Sequence, residues 1–172
     1  TFSGQRYESK VLNSFGHAVP VVGGKLQRTG AEARGVVLQT QFSEREDLLK
    51  LDLRSAYPAK GLQKLERTFA FRRGETPSLD VTDGFEFEAP GSFETALVTW
   101  GQWKRDGADA IIISDGDKSL RVEIMTGGVA FEVRAETLEE DVRTPKKPVR
   151  LGIELKEPVA SGQVTLRISP LP

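Results

Sequence analysis

The 172-residue chain has no cysteine, one histidine, one methionine, two tryptophans and two tyrosines. Without cysteine it has no disulfide, no thiolate nucleophile and no cysteine-ligated zinc. One histidine and no cysteine argue against a self-contained Ser/His or Cys/His catalyst, and one imidazole cannot by itself make a zinc site. There is no excess of either charge: Lys+Arg is 24 against Asp+Glu 25, a formal net charge of −1. Binding to nucleic acid driven by bulk positive charge is therefore not expected. No apolar run approaches the ~18 residues of a membrane-spanning helix, so no membrane partner is expected either. The phosphate-cradling glycine loop, the G-x-S-x-G elbow and H-E-x-x-H are all missing. Thr1-Phe2-Ser3 is neither an initiator methionine nor a signal peptide, and the chain is read as part of something longer.

The dominant pattern is alternation. Leu49, Leu51 and Leu53 are interleaved with Lys50 and Asp52; Phe69 and Phe71 flank Ala70; Phe85 and Phe87 flank Glu86. Leu120-Val122-Ile124, Phe131-Val133, Leu151-Ile153-Leu155 and Val164-Leu166-Ile168 repeat the pattern downstream. Successive strand side chains point to opposite faces, so each run has one dry and one wet side. Residues 61–71 also contain helical spacings, but Phe69-Ala70-Phe71 between flanking strands favours a strand. Gly23-Gly24, Asp115-Gly116, Gly127-Gly128 and Ser161-Gly162 have hairpin-turn chemistry.

The expected fold is all-β: one antiparallel β-sandwich over residues 1–172, with little or no helix. Within it, residues 109–135 are expected to form a three-stranded meander and residues 151–168 a final hairpin turning at 160–162. Ser43-Glu44-Arg45-Glu46 has the form of a capping box, with room for one helical turn at most. Pro145 and Pro148 mark a loop.

Few residues can carry chemistry. His17 is a loop or strand-edge histidine, or else a general acid/base or metal ligand. Tyr7 and Tyr57 are candidate core-edge aromatics or proton donors; Pro58 favours extended backbone at Tyr57. Trp100 and Trp103 form the densest aromatic cluster and are candidate sugar-stacking residues, the alternative being Trp100 in the core and Trp103 over a loop. Arg72-Arg73, Lys104-Arg105 and Lys146-Lys147 fall at expected turns, where they are solvated tips or anion contacts. Asp115-Gly116-Asp117 lacks the further ligands of a calcium loop and reads as a turn.

One segment adds to this. Ser14-Phe15-Gly16-His17-Ala18-Val19-Pro20-Val21-Val22-Gly23-Gly24-Lys25-Leu26-Gln27 resembles the S-x-x-H-N-x-(V/P)-x-V-x-G-x-x-Q stretch in the C-terminal sandwich of heparinase II/III-like polysaccharide lyases. Asp52-Leu53-Arg54-Ser55-Ala56-Tyr57, Leu65-Glu66-Arg67-Thr68-Phe69-Ala70-Phe71, and Val81-Thr82-Asp83 before Phe93-Glu94-Thr95 are similar to further blocks of that family. Ala18 stands where many members have Asn.

The resemblance implies a parent enzyme with an N-terminal helical toroid, which partners this domain and is absent from this chain. It implies β-elimination on uronic-acid polysaccharides such as glycosaminoglycans, and a periplasmic or secreted location. His17 is then the catalytic and metal-binding candidate and Tyr7 a weaker catalytic one; Tyr57 is a packing residue. A zinc ion is implied for the full-length parent, with its other ligands in H-x-H and D-x-G blocks that this chain does not contain; none is expected in the domain alone, nor is catalysis. The competing expectation is a non-catalytic carbohydrate-binding or purely structural sandwich, the latter marked by an exposed apolar patch.

Overall fold

The computed structural model describes residues 4–140 and 142–172; Thr1, Phe2, Ser3 and Asp141 lie outside them. The strands are β1 (Val21–Val22), β2 (Val36–Phe42), β3 (Glu46–Asp52), β4 (Leu62–Arg72), β5 (Ser78–Gly91), β6 (Phe93–Thr99), β7 (Gln102–Arg105), β8 (Ala110–Asp115), β9 (Lys118–Met125), β10 (Phe131–Thr137), β11 (Val149–Leu155) and β12 (Val159–Pro170). Helix is confined to short 3₁₀ turns at Gly4–Tyr7, Ser14–Gly16 and Arg54–Ala56. No helix among the described residues is long and apolar enough to cross a membrane. The strands form a four-stranded sheet, β1-β6-β11-β10, and an eight-stranded sheet, β2-β3-β4-β5-β12-β9-β8-β7, with every pairing antiparallel. The all-β sandwich expected from alternation is the fold observed.

The core lies between the sheets. Leu65, Phe85, Val122, Ile124, Val164 and Leu166 of the large sheet meet Phe93, Leu151, Ile153 and Leu155 of the small one. The opposite face of the large sheet is polar: Lys50 pairs with Glu66 at 2.7 Å, Asp80 sits between Arg72 and Arg167, and Thr82 bonds Thr165. Eight strands are wider than four, and register places Phe42, Asp47 and Phe71 in one row on the core-side face. Phe42 and Phe71 are exposed, as are Val36, Val37 and Leu38 on edge strand β2.

Two expected pairings are overturned. Residues 109–135 are not a three-stranded meander: β8 pairs β9, but β10 crosses to the small sheet and pairs β11. Residues 151–168 are not a hairpin: β11 belongs to the small sheet and β12 to the large one. Ser161-Gly162 lies inside β12 after a register shift, opposite Glu86 and Phe85. A Cβ on Gly162 would sit 2.9 Å from Phe85 Cζ, so this glycine makes room for a core ring and does not turn the chain. Alternation reports which face is dry, and it reads the same in either sheet of a sandwich. The capping-box pattern also resolves differently. Ser43 Oγ accepts from Glu46 N at 2.9 Å, but within the β2–β3 hairpin, with no helical turn. The Gly23-Gly24 turn does form, with both φ values positive (57° and 68°) and Val22 paired to Lys25.

Candidate functional site

The segment before β1 folds over the outer face of the small sheet and delivers His17 to a cleft. Its anchor is Phe15, whose ring lies 4.3 Å from the guanidinium carbon of Arg150 on β11, while Lys10 reaches Glu136 on β10. Arg150 is buried and contacts Glu94 at 2.5 Å. Gly152 is needed there, since a Cβ would stand 2.7 Å from Arg150 Nη1 and 2.9 Å from the Glu94 carboxylate. Asn13 Oδ1 caps the Ser14–Gly16 turn by accepting from Phe15 N at 2.8 Å. Gly16 permits a close backbone approach: its Cβ would lie 2.6 Å from Lys10 O and 2.7 Å from Val11 Cα.

Beyond His17 the loop is clamped from below. The carbonyl of Ala18 accepts from Arg67 Nη1 at 2.6 Å, and that of Pro20 accepts from the Tyr57 hydroxyl at 2.9 Å. Arg67 is itself held by Asp83 through two 2.7 Å bonds, from Nε and Nη2. Thr95 donates to Asp83 at 2.7 Å from across the sandwich. The Arg67 and Asp83 side chains are 5% and 1% exposed. Burial works against the Arg67 charge, and the bonded Asp83 carboxylate more than offsets it, leaving the guanidinium pKa raised. Burial likewise raises the Tyr57 hydroxyl, keeping it a neutral donor to Pro20 O. Ser14 Oγ accepts from Gln27 N at 2.9 Å, and Gln27 Nε2 donates to the Tyr57 hydroxyl at 3.3 Å.

Ser14, Gln27, Tyr57, Arg67, Asp83 and Thr95 thus belong to one network around one loop. They come from the separate segments singled out above for their resemblance to lyase blocks. Tyr57, read as a packing residue, is buried and in addition fixes the His17 loop.

The cleft occupies about 170 Å³ and is lined by Arg6, Tyr7, Leu12, Asn13, Ser14, His17, Gln27 and Arg28. The two catalytic candidates, His17 and Tyr7, therefore share it, and both are exposed. Trp100 and Trp103 do not line it. Trp100 is 46% exposed in a separate cleft of about 340 Å³ with Leu120 and Ile113. Trp103, on β7, packs against the core, the reverse of the arrangement expected if Trp100 were the core member. No group of three or more His, Asp or Glu that could hold a metal occurs among the described residues. His17 could supply one ligand, and the described residues do not group the further ones a metal site needs around it.

Arg67 and Asp83 escaped the sequence reading as site residues, although alternation contains them. Arg67 falls at the dry parity between Leu65 and Phe69, and Asp83 at the dry parity between Val81 and Phe85. Charges on the dry face of neighbouring strands are a sign of a buried pair. Arg6 and Arg28 gave no such signal.

No protein-family model matches the sequence, and no curated protein matches it. Solved structures do. A heparinase III structure superposes with a TM-score of 0.73 at 13% identity, over 99% of this chain and 26% of that one. The heparan sulfate lyase HepC from Pedobacter heparinus superposes with a TM-score of 0.71 at 13% identity, over 90% and 24%. A mutant of that lyase gives 0.74 at 13% identity, over 99% and 27%. The fold is shared over essentially the whole chain, and the chain spans about a quarter of the length of those lyases.

Proposed function

We propose that this chain is the β-sandwich part of a longer polysaccharide lyase that cleaves uronic-acid polymers by β-elimination, with His17 as its principal contribution to the reaction site. The observation that carries this reading is the convergence of the lyase-like segments on one clamped loop that presents His17 beside Tyr7. The shared fold with heparinase III and heparan sulfate lyase supports it. In such a reaction a base removes the proton α to the uronate carboxylate, hydrogen-bond donors stabilise the charge that develops there, and an acid protonates the departing glycosidic oxygen. An imidazole and a phenol on one cleft wall suit proton transfer, and the helical remainder of such an enzyme would complete the site. In the same reading His17 is also a candidate zinc ligand of the longer protein, the remaining ligands coming from elsewhere. A periplasmic or secreted location belongs to the same proposal, and the exposed Val37 and Phe42 edge is suited to covering by another domain.

The test is ultraviolet detection of unsaturated uronate products from heparan sulfate and other uronate polymers, using the polypeptide extended to the length of those lyases. Activity is expected, and His17→Ala should lower it at least about a hundredfold, the scale of a lost acid/base group. A folded, extended protein inactive on every uronate polymer would sink the proposal.

Exposed Trp100 favours a second reading, a non-catalytic carbohydrate-binding sandwich that stacks a sugar ring on this indole.

A further inference from the structure

We infer that residues 4–16 form a strap that lifts from the small sheet as one unit, hinging at His17, and so opens and closes the cleft. The cleft is largely made of this strap: Arg6, Tyr7, Leu12, Asn13 and Ser14 are five of the eight residues that line it. The strap is a self-contained piece of structure. Leu12 N and Asn13 N donate to Ser9 O, Glu8 N to Gln5 O and Gly16 N to Asn13 O. Among the described residues, every backbone–backbone hydrogen bond of residues 5–16 closes within the segment or on His17. It can therefore lift with its own shape intact and without breaking a ladder bond of either sheet.

The strap is also lightly held. Ser9 is the one buried residue in it, and none of its residues belongs to the core between the sheets. Among the described residues its polar ties are Lys10 to Glu136 and Glu140, and Ser14 Oγ to Gln27 N. The Phe15 ring on Arg150 is the packed anchor. Docking has a cost underneath: Arg150 Nε, Arg150 Nη2 and Ser9 Oγ are buried with no hydrogen-bond partner among the described residues. Lifting the strap gives these groups to water, which offsets the loss of the Phe15 contact. A segment with little apolar burial and stranded polar groups beneath it opens far more readily than the sheets unfold. On the other side of His17 the chain stays in place, because Arg67 and Tyr57 hold the carbonyls of Ala18 and Pro20. The hinge falls at His17 because its two flanks are held so differently.

The inference rests on the polysaccharide reading only for what enters the cleft, and limited trypsin digestion of the 172-residue protein separates the two. Arg6 and Lys10 are cleavage sites on the strap, and Arg167 in β12 reports unfolding of the large sheet. When closing outpaces cleavage, the rate at each site follows the open population. Arg6 and Lys10 are expected to be cut at similar rates, both well ahead of Arg167. Phe15→Ala should speed both cuts by one common factor, at least about tenfold, the scale of a lost packed aromatic. Ser9→Ala should slow both about threefold, since it removes a stranded hydroxyl from the docked state. Gradual fraying would instead cut Arg6 far ahead of Lys10, with only Lys10 answering to Phe15→Ala, and that result overturns the strap. So do cuts no faster than at Arg167, or rates that neither variant moves. Occupancy of the cleft should hold the strap down. A heparan sulfate oligosaccharide is therefore expected to slow both cuts and to leave cleavage at Arg45, in the β2–β3 turn, unchanged. If the strap opens as described but no uronate oligosaccharide slows it or shifts the His17 NMR signals, the strap stands and the polysaccharide reading falls. If the oligosaccharide shifts His17 and leaves both cuts as fast as before, that reading stands and the strap does not govern the cleft.

Discussion

Asp83→Ala is expected to remove about 3–5 kcal/mol of folding stability, the cost of leaving a buried charge without its partner. Asp83 receives two guanidinium bonds and the Thr95 hydroxyl. Its loss strands a guanidinium that is 5% exposed, with the Ala18 carbonyl as its one strong remaining acceptor. In a domain of this size each kcal/mol moves the melting temperature by about 2–4 °C, so a fall on the order of 10 °C is expected in a thermal scan. The double change Arg67→Met/Asp83→Leu removes both charges and fills the space, and it should cost less than Asp83→Ala alone. An Asp83→Ala protein within about 1 kcal/mol of wild type in urea unfolding would show that the pair is not sealed from water as the structure has it.

Phe85→Ala should be comparably severe, at about 3–5 kcal/mol for a fully buried aromatic. Phe85 is 1% exposed. It stacks on Phe93 of the opposite sheet at 4.0 Å between ring centres and lies over Gly162 of β12. Its neighbours on the same face carry the ion pair. Asp83 is two residues before Phe85 on β5, and Thr95 two residues after Phe93 on β6, so an aromatic contact and a polar contact join the same two strands side by side. Urea unfolding of Phe85→Ala, Asp83→Ala and the double variant measures their coupling. Adjacent contacts sharing two strands should give a double-variant loss different from the sum of the singles, whereas strict additivity would deny that they act as one seam.

The reading of the sequence succeeded where the physics is local. Alternation in Leu151-Ile153-Leu155 and Val164-Leu166-Ile168 gave strands with a dry face, and Gly23-Gly24 gave its turn, because side-chain period and positive φ are set within a few residues. It failed where the outcome depends on what lies opposite. Nothing in Phe131-Val133 states that β10 crosses to the small sheet. Gly162 looks like a turn residue until Phe85 is placed against it. The site was half legible. His17 stood out by being the sole histidine, and Tyr7 by lying near it. Arg67 and Asp83 were visible only as charges at a dry parity, and the proximity of Arg6 and Arg28 to His17 exists only after the N-terminal segment folds over Arg150 and Glu94.

In the proposed function this sandwich meets an acidic polysaccharide at the His17 cleft. Amide and side-chain NMR mapping with a heparan sulfate oligosaccharide tests it most directly. Shifts are expected to concentrate at Arg6, Tyr7, Asn13, His17, Gln27 and Arg28, which line one cleft. Shifts concentrated instead around Trp100 and Leu120, which line the other cleft, or no shifts at all in the folded protein, would contradict it.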